Sequence, residues 1–337
     1  MTTREINLLH RDLFIKFGPL AVELISTHVS WVLLTPKFAY KIKKPVSFSF
    51  LDFSSLEKRI AACREEIRLN QRLTTGMYLG VVPIWEKKGR YAIDQGEGTI
   101  IEYALKMKRM DHSRQMDILL NKQLVSPEHL RATARKLADF HRTAEQLSGV
   151  THLNQLKEQF NDIAIIQEFL KTHLGTGACN LVKESIHLSD QFLQENISHL
   201  QERERKGLVI DGHGDLHSRN IFLLDEPVIF DCIEFNEAFR QMDVLNEIAF
   251  LCMDLDFFGR QDLNAHFLDT YLSAIPCIET PEDWTLFHYF KLYRANVRLK
   301  VLTLNAMQAN DQEELDSLIP EIESYLQLYQ HYLKALS

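Results

Sequence analysis

Residues 213–220 read His-Gly-Asp-Leu-His-Ser-Arg-Asn and are the most informative stretch of this 337-residue chain. A second apolar run follows them and ends in Phe230 and Asp231. Together these stretches supply an aspartate, Asp215, an asparagine five residues later, Asn220, and a second aspartate, Asp231. One interpretation is that these Asp and Asn side chains make turn hydrogen bonds and have no further role. The fixed spacing of all three favours a functional site.

The same segment matches a known catalytic pattern. The protein-kinase catalytic loop reads H-R-D-L-x-x-x-N, and only Gly214, in place of arginine, departs from it. In that arrangement one carboxylate orients the attacking hydroxyl and accepts its proton, while the Asn and a second carboxylate hold metal on the phosphates. The spacing therefore predicts Asp215 as the catalytic base and Asn220 and Asp231 as metal ligands.

A zinc site is the alternative interpretation of this segment. His213, Asp215 and His217 alternate along the chain, as the ligands of a zinc hydrolase could. No second group of ligands and no HExxH motif accompany them in the sequence. The zinc interpretation also leaves Asn220 and Asp231 without a role, so the kinase-type interpretation explains more residues.

A kinase-type site also needs a lysine that binds the phosphates. Residues 38–41 read Phe-Ala-Tyr-Lys and resemble the V-A-I-K run that carries this lysine in protein kinases. In a strand, Ala39, Lys41 and Lys43 share one face. Lys41 is therefore predicted to reach the phosphates beside a small residue, and Lys43 is the second candidate. A lysine-rich edge strand without a ligand is the plain alternative.

A helix glutamate should hold that lysine, and helical phase selects it. Ser54 and Glu57 form a capping-box pattern, which predicts that a helix begins there. At about 100° per residue, Glu66 projects into the middle of the broad apolar sector of this helix, whereas Glu65 points to solvent. A buried carboxylate needs a partner because burial of an unpaired charge is costly. Lys41 is the natural candidate.

The order of predicted elements divides the chain into two parts. Short strand patterns and one helix occupy the first third, and everything after residue 245 has helical patterns. Ser126 and Pro127 mark the start of a further helix. We predict an α+β fold of two lobes. Residues 1–107 form a small nucleotide-binding lobe of antiparallel sheet, and residues 108–337 form a larger helical lobe for catalysis and the acceptor.

Composition excludes several classes of protein. The chain is 45% hydrophobic and 25% charged, which is typical of a globular protein. Its net charge of −8 disfavours a nucleic-acid partner. No apolar run reaches the roughly 18 residues of a spanning helix, and no secretory signal is recognisable at the start, so no membrane partner is expected. Five scattered cysteines are typical of a reduced cytoplasm, which is the predicted location.

A cationic stripe lies on the predicted helix near residues 284–305. Lys291, Arg294 and Arg298 follow an i, i+3, i+7 spacing with apolar residues on both sides. Such cations on a largely apolar helix face a cleft or pair with buried acids. Two interpretations stay open: the stripe binds an anionic acceptor, or it pairs with acidic residues of its own lobe.

With these motifs the chain resembles the aminoglycoside phosphotransferase and choline kinase-like group, and within it a bacterial branch of aminoglycoside phosphotransferase family enzymes. The similar stretches are residues 38–53, 65–83, 102–110 and 211–259. The resemblance implies a protein-kinase-like fold, ATP and Mg²⁺ as cofactors, and phosphoryl transfer to a hydroxyl of a small-molecule acceptor.

The resemblance also implies roles for particular residues. Asp215 would be the catalytic base, and the adenine ring would lie at a hinge near residues 107–110, which includes Met107. The residues implied to hold magnesium or phosphate are Asn220 and Asp231 for magnesium, and Lys41 with Glu66 for the phosphates.

The chain departs from the group in one respect that matters for function. No glycine-rich loop precedes Lys41, and the corresponding turn, residues 26–30, reads Ser-Thr-His-Val-Ser. Phosphate could still bind there through backbone N–H and hydroxyl groups. A regulatory pseudokinase is therefore one alternative, although all catalytic side chains are present. A protein kinase is the other, although a helical insertion at residues 145–206 lies where small-molecule kinases build acceptor sites.

Overall fold

The structure is a computed structural model that describes residues 1–18, 22–48, 51–309 and 311–336. Ser49 and Phe50, inside one stretch that carries the resemblance, lie outside the described residues. The chain divides into two compact units. The first unit, called the sheet unit, comprises Met1–Leu119 and Arg219–Phe239, and the second, the helical unit, comprises Leu120–Ser218 and Arg240–Ser337.

Among its described residues, the sheet unit contains two complete α-helices, eight strands of its first segment and a hairpin of its second segment. They are α1 (Thr3–Phe17), β1 (Glu23–Ser26), β2 (Ser30–Leu34), β3 (Phe38–Lys43), β4 (Ser47–Phe48), β5 (Leu51–Asp52), α2 (Leu56–Asn70), β6 (Tyr78–Lys87), β7 (Arg90–Ile93), β8 (Thr99–Lys108), β10 (Ile221–Phe222) and β11 (Val228–Ile229). A short helix, α3 (Met116–Asn121), lies where the chain passes to the helical unit.

Six of these strands form one antiparallel sheet in the order β1-β2-β3-β8-β6-β7. The predicted alternation along β3 is confirmed. Tyr40 and Ile42 pack in one apolar cluster with Ile6 and other residues of α1. Ala39 packs on the opposite face in a second cluster. Apolar packing of this kind covers each face of the sheet.

Two local details differ from the sequence-based predictions. Helix α1 was not predicted, although Thr2 and Glu5 form a complete capping box at its start. The N-cap of α2 is Ser55, because the Ser54 hydroxyl and N–H both bond the Asp52 carboxylate, at 2.6 and 3.0 Å. The prediction of Ser54 as the N-cap was therefore wrong by one residue.

The helical unit contains eight helices and one short strand pair among the residues that the structure describes. They are α4 (Pro127–Thr143), α5 (Leu153–Asn161), α6 (Gln167–Leu174), α7 (Thr176–Arg205), β9 (Val209–Asp211), β12 (Gln241–Asp243), α8 (Val244–Phe257), α9 (Gln261–Ala274), α10 (Pro281–Ala306) and α11 (Gln312–Leu336). Strands β9 and β12 pair antiparallel. Ser126 caps α4 as predicted, with Pro127 at its first position.

The predicted fold class, α+β with a small antiparallel sheet and a larger helical part, is confirmed. The predicted lobe boundary after residue 107 stays a prediction, because compact units group segments by packing and not by function. Packing places Arg219–Phe239 with the sheet. None of the described helices combines the length and the apolar character that crossing a membrane requires.

Candidate active site

Lys41 lies between two carboxylates of the sheet unit. Its Nζ donates to Glu66 Oε1 at 2.9 Å and to Asp231 Oδ1 at 2.6 Å. The Lys41 side chain is 15% exposed, Glu66 is fully buried and Asp231 is 41% exposed. Burial alone would lower the pKa of Lys41, but Asp231 and Glu66 raise that pKa well above its ordinary value. The ammonium is therefore charged and partly accessible.

Glu66 occupies the position that helical phase predicts for it. It is buried on α2, whereas Glu65 pairs at the surface with Arg68 on the same helix. Burial alone would raise the pKa of Glu66, but Lys41 and Lys43 hold it below its ordinary value. The carboxylate is therefore ionised, and it can orient a lysine.

Lys43, the second candidate for the phosphate lysine, lies in a closed environment. Its side chain is 1% exposed, and its ammonium donates to Glu66 Oε2 at 2.5 Å and to Glu234 Oε1. Sequence reasoning missed Glu234. The signal was an acid between apolar residues, in the run Cys-Ile-Glu-Phe at 232–235, because a buried acid requires a cationic partner.

Asn220 and Asp231 lie at one end of the hairpin formed by β10 and β11. The hairpin pairs Ile221 with Ile229, and the Phe230 N–H continues the ladder by donating to the Asn220 carbonyl at 3.0 Å. Asp231 follows directly. Amide and carboxylate oxygens are the ligands that Mg²⁺ prefers, and the Asp231 carboxylate is accessible. These two residues therefore fit a magnesium site.

Asp231 has a left-handed backbone conformation, with φ of 63°. This conformation is costly for a residue other than glycine and persists only when neighbouring contacts maintain it. The Asp231 N–H donates to the Tyr78 hydroxyl at 3.2 Å, and the N–H of the next residue, Cys232, donates to Asn70 Oδ1 at 3.0 Å. Strand β6 and helix α2 thus fix the direction of the chain at Asp231.

Asp215 belongs to the helical unit, and the unit boundary lies between Ser218 and Arg219, inside the catalytic-loop pattern. His217 Nε2 lies 3.3 Å from Asp215 Oδ2, and the Asp215 N–H donates to His213 Nδ1 at 3.2 Å. Burial would raise the pKa of Asp215, but His217, Arg298 and His213 hold it below its ordinary range. Asp215 is therefore ionised at neutral pH.

A buried carboxylate on α8 binds the backbone just before Asp215. The N–H of His213 donates to both oxygens of Glu247 at 2.9 Å, and the N–H of Gly214 donates to Oε1 at 2.7 Å. His141 Nε2 lies 3.1 Å from the other oxygen. Gly214 has φ of 90°, a conformation that favours glycine and explains why arginine is replaced here. Glu247 was not predicted, although an acid in the long apolar run of α8 was a signal.

Two further charged side chains bind the same loop. Asp254, two turns beyond Glu247 on α8, accepts the Ser218 N–H at 2.8 Å. Arg294 on α10 donates to the Gly214 carbonyl at 3.1 Å. We call Glu247, Asp254 and Arg294 the charged cradle, because all three are buried and bind backbone groups of residues 213–218.

The cationic stripe is largely used within the helical unit. Lys291 donates to Asp256 at 2.8 Å, and Arg294 belongs to the charged cradle. The guanidinium of Arg298 lies 5.5 Å from the centre of the Tyr325 ring. Among the described residues, no acceptor bonds Arg298 Nε. Pairing with an acid of the same unit, one of the two interpretations of the stripe, therefore accounts for Lys291, whereas Arg294 binds the backbone carbonyls of Gly214 and Asn246.

The other candidate residues have these positions. Met107 lies in central strand β8, paired with Ala39 and Tyr78, and its side chain is buried with theirs. Its contact with adenine stays a prediction. In the turn that replaces the glycine-rich loop, the Thr27 N–H donates to the Ser30 carbonyl at 2.9 Å.

The zinc interpretation gains no support from the side-chain positions. Across residues 1–18, 22–48, 51–309 and 311–336, no group of three or more His, Cys, Asp or Glu side chains could hold a metal ion. A zinc hydrolase would need such a group around His213 and His217. The Nδ1 atom of His213 instead accepts the Asp215 N–H.

Comparison with known proteins gives distant relatives. No family model matches the chain. The uncharacterized proteins Rv2004c of Mycobacterium tuberculosis and Mb2027c of Mycobacterium bovis are each 29% identical to it over 302 residues, which is 88% of this chain. The chain spans 58% of the length of these curated relatives.

Three of the solved structures whose fold is similar to this chain are named as kinases or phosphotransferases. A choline/ethanolamine kinase family protein from Mesorhizobium loti has a TM-score of 0.49 and 12% identity, with 99% of this chain and 97% of that chain covered. The ethanolamine kinase of Plasmodium vivax gives 0.47 and 12%, with 98% and 89% covered. Aminoglycoside 2'-phosphotransferase-IIIa gives 0.49 and 11%, with 97% and 99% covered. These are the groups that the sequence motifs resemble.

Proposed function

We propose that the protein transfers the γ-phosphoryl group of ATP to a hydroxyl group of a small molecule. The observation that carries this proposal is the position of Lys41 Nζ, 2.9 Å from Glu66 Oε1 and 2.6 Å from Asp231 Oδ1. A buried glutamate that orients a lysine, next to an accessible carboxylate, is the arrangement that phosphoryl transfer requires. Asn220 lies at the same end of the hairpin as Asp231.

Each side chain has one task in this proposal. Lys41 binds phosphate oxygens of the nucleotide, and Glu66 orients its ammonium. Asn220 and Asp231 would hold magnesium, which would neutralise phosphate charge. Asp215 orients the acceptor hydroxyl and accepts its proton, while the acceptor oxygen bonds to the γ-phosphorus and the bond to the ADP oxygen breaks. Asn220 follows Asp215 by five positions in the chain.

The acceptor in this proposal is a small molecule. Residues 145–206, where the related small-molecule kinases build acceptor sites, form the helices α5, α6 and α7. Arg298 is the stripe residue that we propose for an anionic acceptor, because its charge acts on Asp215, whereas Lys291 bonds Asp256 and Arg294 bonds the Gly214 carbonyl. We place the protein in the cytoplasm because all five cysteines are free.

The test measures nucleotide binding first and transfer second. Calorimetric titration of ATP and GTP, with and without magnesium, should show binding that depends on magnesium and weakens in Asp231→Ala. Nucleotide consumption should then be screened against a panel of small-molecule alcohols. Absence of nucleotide binding would overturn the proposal. Binding without consumption would favour a regulatory pseudokinase, and transfer only to protein side chains would favour a protein kinase.

A further inference from the structure

Strand β3 carries two lysines on one face, and they are used differently. The Lys41 side chain is 15% exposed, and one of its two carboxylate partners, Asp231, is 41% exposed. Lys43 is 1% exposed, and both of its partners, Glu66 and Glu234, are buried. The aromatic ring of Phe53 covers its ammonium at 5.1 Å. Lys41 therefore has a side open to a ligand, and Lys43 is enclosed by protein.

Glu66 is shared between the two lysines through separate oxygen atoms. Oε1 accepts from Lys41 at 2.9 Å, and Oε2 accepts from Lys43 at 2.5 Å. A phosphate oxygen that attracts Lys41 would weaken the first of these bonds. The second bond does not involve the open side. Lys43 can thus keep the charge of the buried Glu66 carboxylate paired while Lys41 turns to the nucleotide. Without Lys43, that carboxylate would be left as an unpaired buried charge, which is costly.

The same lysine binds the chain just beyond the proposed magnesium ligand. Glu234 follows Asp231 by three residues, and its buried carboxylate accepts from Lys43. The left-handed backbone at Asp231 requires contacts that maintain it. Tyr78 and Asn70 supply those contacts, and the Lys43–Glu234 pair joins β3 to the segment that follows Asp231.

We propose that Lys43 and Glu234 are positioning residues for phosphoryl transfer, which hold the Glu66 carboxylate in place while Lys41 binds phosphate. This inference rests on the proposed function. It assigns no phosphate contact to Lys43, which distinguishes it from the interpretation of Lys43 as a second phosphate lysine. It also differs from a purely structural ion pair, because it predicts an effect on turnover that is transmitted through Glu66.

The test is a double-mutant cycle between the pair and Glu66. Lys43→Met alone would leave Glu234 as a buried carboxylate without its lysine, so the first variant combines Lys43→Met with Glu234→Gln. The second variant is Glu66→Gln, and the third joins all three substitutions. The matched control, Lys106→Met with Asp94→Asn, removes another ion pair of the same sheet, 2.5 Å long, that does not touch Glu66. Turnover, Mg-ATP affinity and melting temperature are measured for each.

We expect the Lys43/Glu234 variant to lose about tenfold or more in turnover, the loss that about 1.4 kcal/mol of positioning would give, with little change in Mg-ATP affinity. Adding these substitutions to Glu66→Gln should change turnover by less than about twofold, because their effect passes through Glu66. The control should keep wild-type turnover. Two results would overturn this inference and leave the proposed function standing. One is a turnover loss in the triple variant that equals the product of the losses in the other two variants, and the other is wild-type turnover in the Lys43/Glu234 variant.

Failure of the proposed function has a different signature. If the unsubstituted protein binds no Mg-ATP, the proposed function falls, and this inference falls with it. If the unsubstituted protein binds and consumes nucleotide, only the comparison among variants decides the role of Lys43 and Glu234. A variant that melts well below the control and regains turnover on cooling would show a structural pair and also overturn the inference.

Discussion

The two units hold their candidate catalytic groups by different physical means. In the sheet unit, Lys41 and Glu66 are placed by ion pairs between side chains. In the helical unit, the loop around Asp215 is placed by the charged cradle, whose side chains bind backbone N–H and carbonyl groups. Side-chain pairs can exchange partners when a ligand arrives. Backbone groups bound to buried charges cannot move without leaving those charges unsatisfied.

This difference suits the tasks proposed for the two regions. Lys41 must turn from a protein carboxylate to a phosphate oxygen, and it has an open side on which to do so. Asp215 must hold one position relative to the acceptor hydroxyl. Misplacement of about 1 Å can cost a large factor in rate, so a fixed backbone is an advantage there.

The largest effect is expected at Asp215. Asp215→Asn keeps the shape of the side chain and removes its charge, so turnover should fall by about 10²–10⁴-fold while Mg-ATP affinity stays near wild type. Asp231→Ala should lower both quantities. Steady-state kinetics and calorimetry measure the two. Equal loss of Mg-ATP affinity in both variants would contradict the proposal that Asp215 acts on the acceptor and Asp231 on magnesium.

The next effect tests the ion pairs of the sheet unit. Lys41→Ala and Glu66→Ala should each lower the efficiency of ATP use by about 10- to 100-fold, since both remove the hydrogen bond between Lys41 and Glu66, and a charge-assisted bond contributes about 1.5–3 kcal/mol. Glu65→Ala is the control, because Glu65 pairs at the surface with Arg68 on the same helix. Similar losses for Glu65 and Glu66 in an ATP-consumption assay would contradict the helical-phase argument.

A third prediction contrasts stability in the two units. Glu247→Ala removes the carboxylate that accepts the N–H groups of His213 and Gly214, and should lower the free energy of unfolding by about 2–5 kcal/mol. Glu66→Ala should cost clearly less, because Lys41 and Lys43 each keep another carboxylate. Thermal and denaturant unfolding measure both. A larger loss for Glu66→Ala would reverse the comparison.

The smallest effect concerns pH. Because the pKa of Asp215 is lowered, its charged form is present across neutral pH, and its contribution to activity is lost only as the pH falls below the ordinary Asp range. Arg298→Leu removes one cation, so this acidic limit should move up by less than about one pH unit. Lys291→Met, whose partner is Asp256, is the control and should not move it. An acidic limit that stays unchanged in Arg298→Leu would show that Arg298 does not act on Asp215.

The ion pairs of the sheet unit were partly predictable from sequence. Alternation along β3 placed Lys41 on one face, and helical phase placed Glu66 on a buried one, so the cost of a lone buried charge pointed to their pairing. The contact of Lys43 with Glu234 was not predictable in this way. The two residues are 191 positions apart, and no local period relates them.

The sequence marks Glu247 and Arg294 as charges on largely apolar helices, but the contacts of the charged cradle were not predictable, for another reason. Glu247 and Arg294 bind backbone groups, which every residue possesses, so the sequence carries no mark of their targets. Helix α1 is a different case. The capping box of Thr2 and Glu5 was available in the sequence, and only the emphasis on strand patterns in the first third concealed it.

The sheet unit is discontinuous in sequence, and this has a consequence for the order of synthesis. Residues 1–119 leave the ribosome long before residues 219–239, which supply Asp231 and Glu234. Until then Lys41 and Lys43 have only Glu66 among the three carboxylates that they contact in the finished fold. The N-terminal segment therefore lacks two of the carboxylates that balance its lysines, and the sheet unit must remain unfinished until about half of the helical unit has been made.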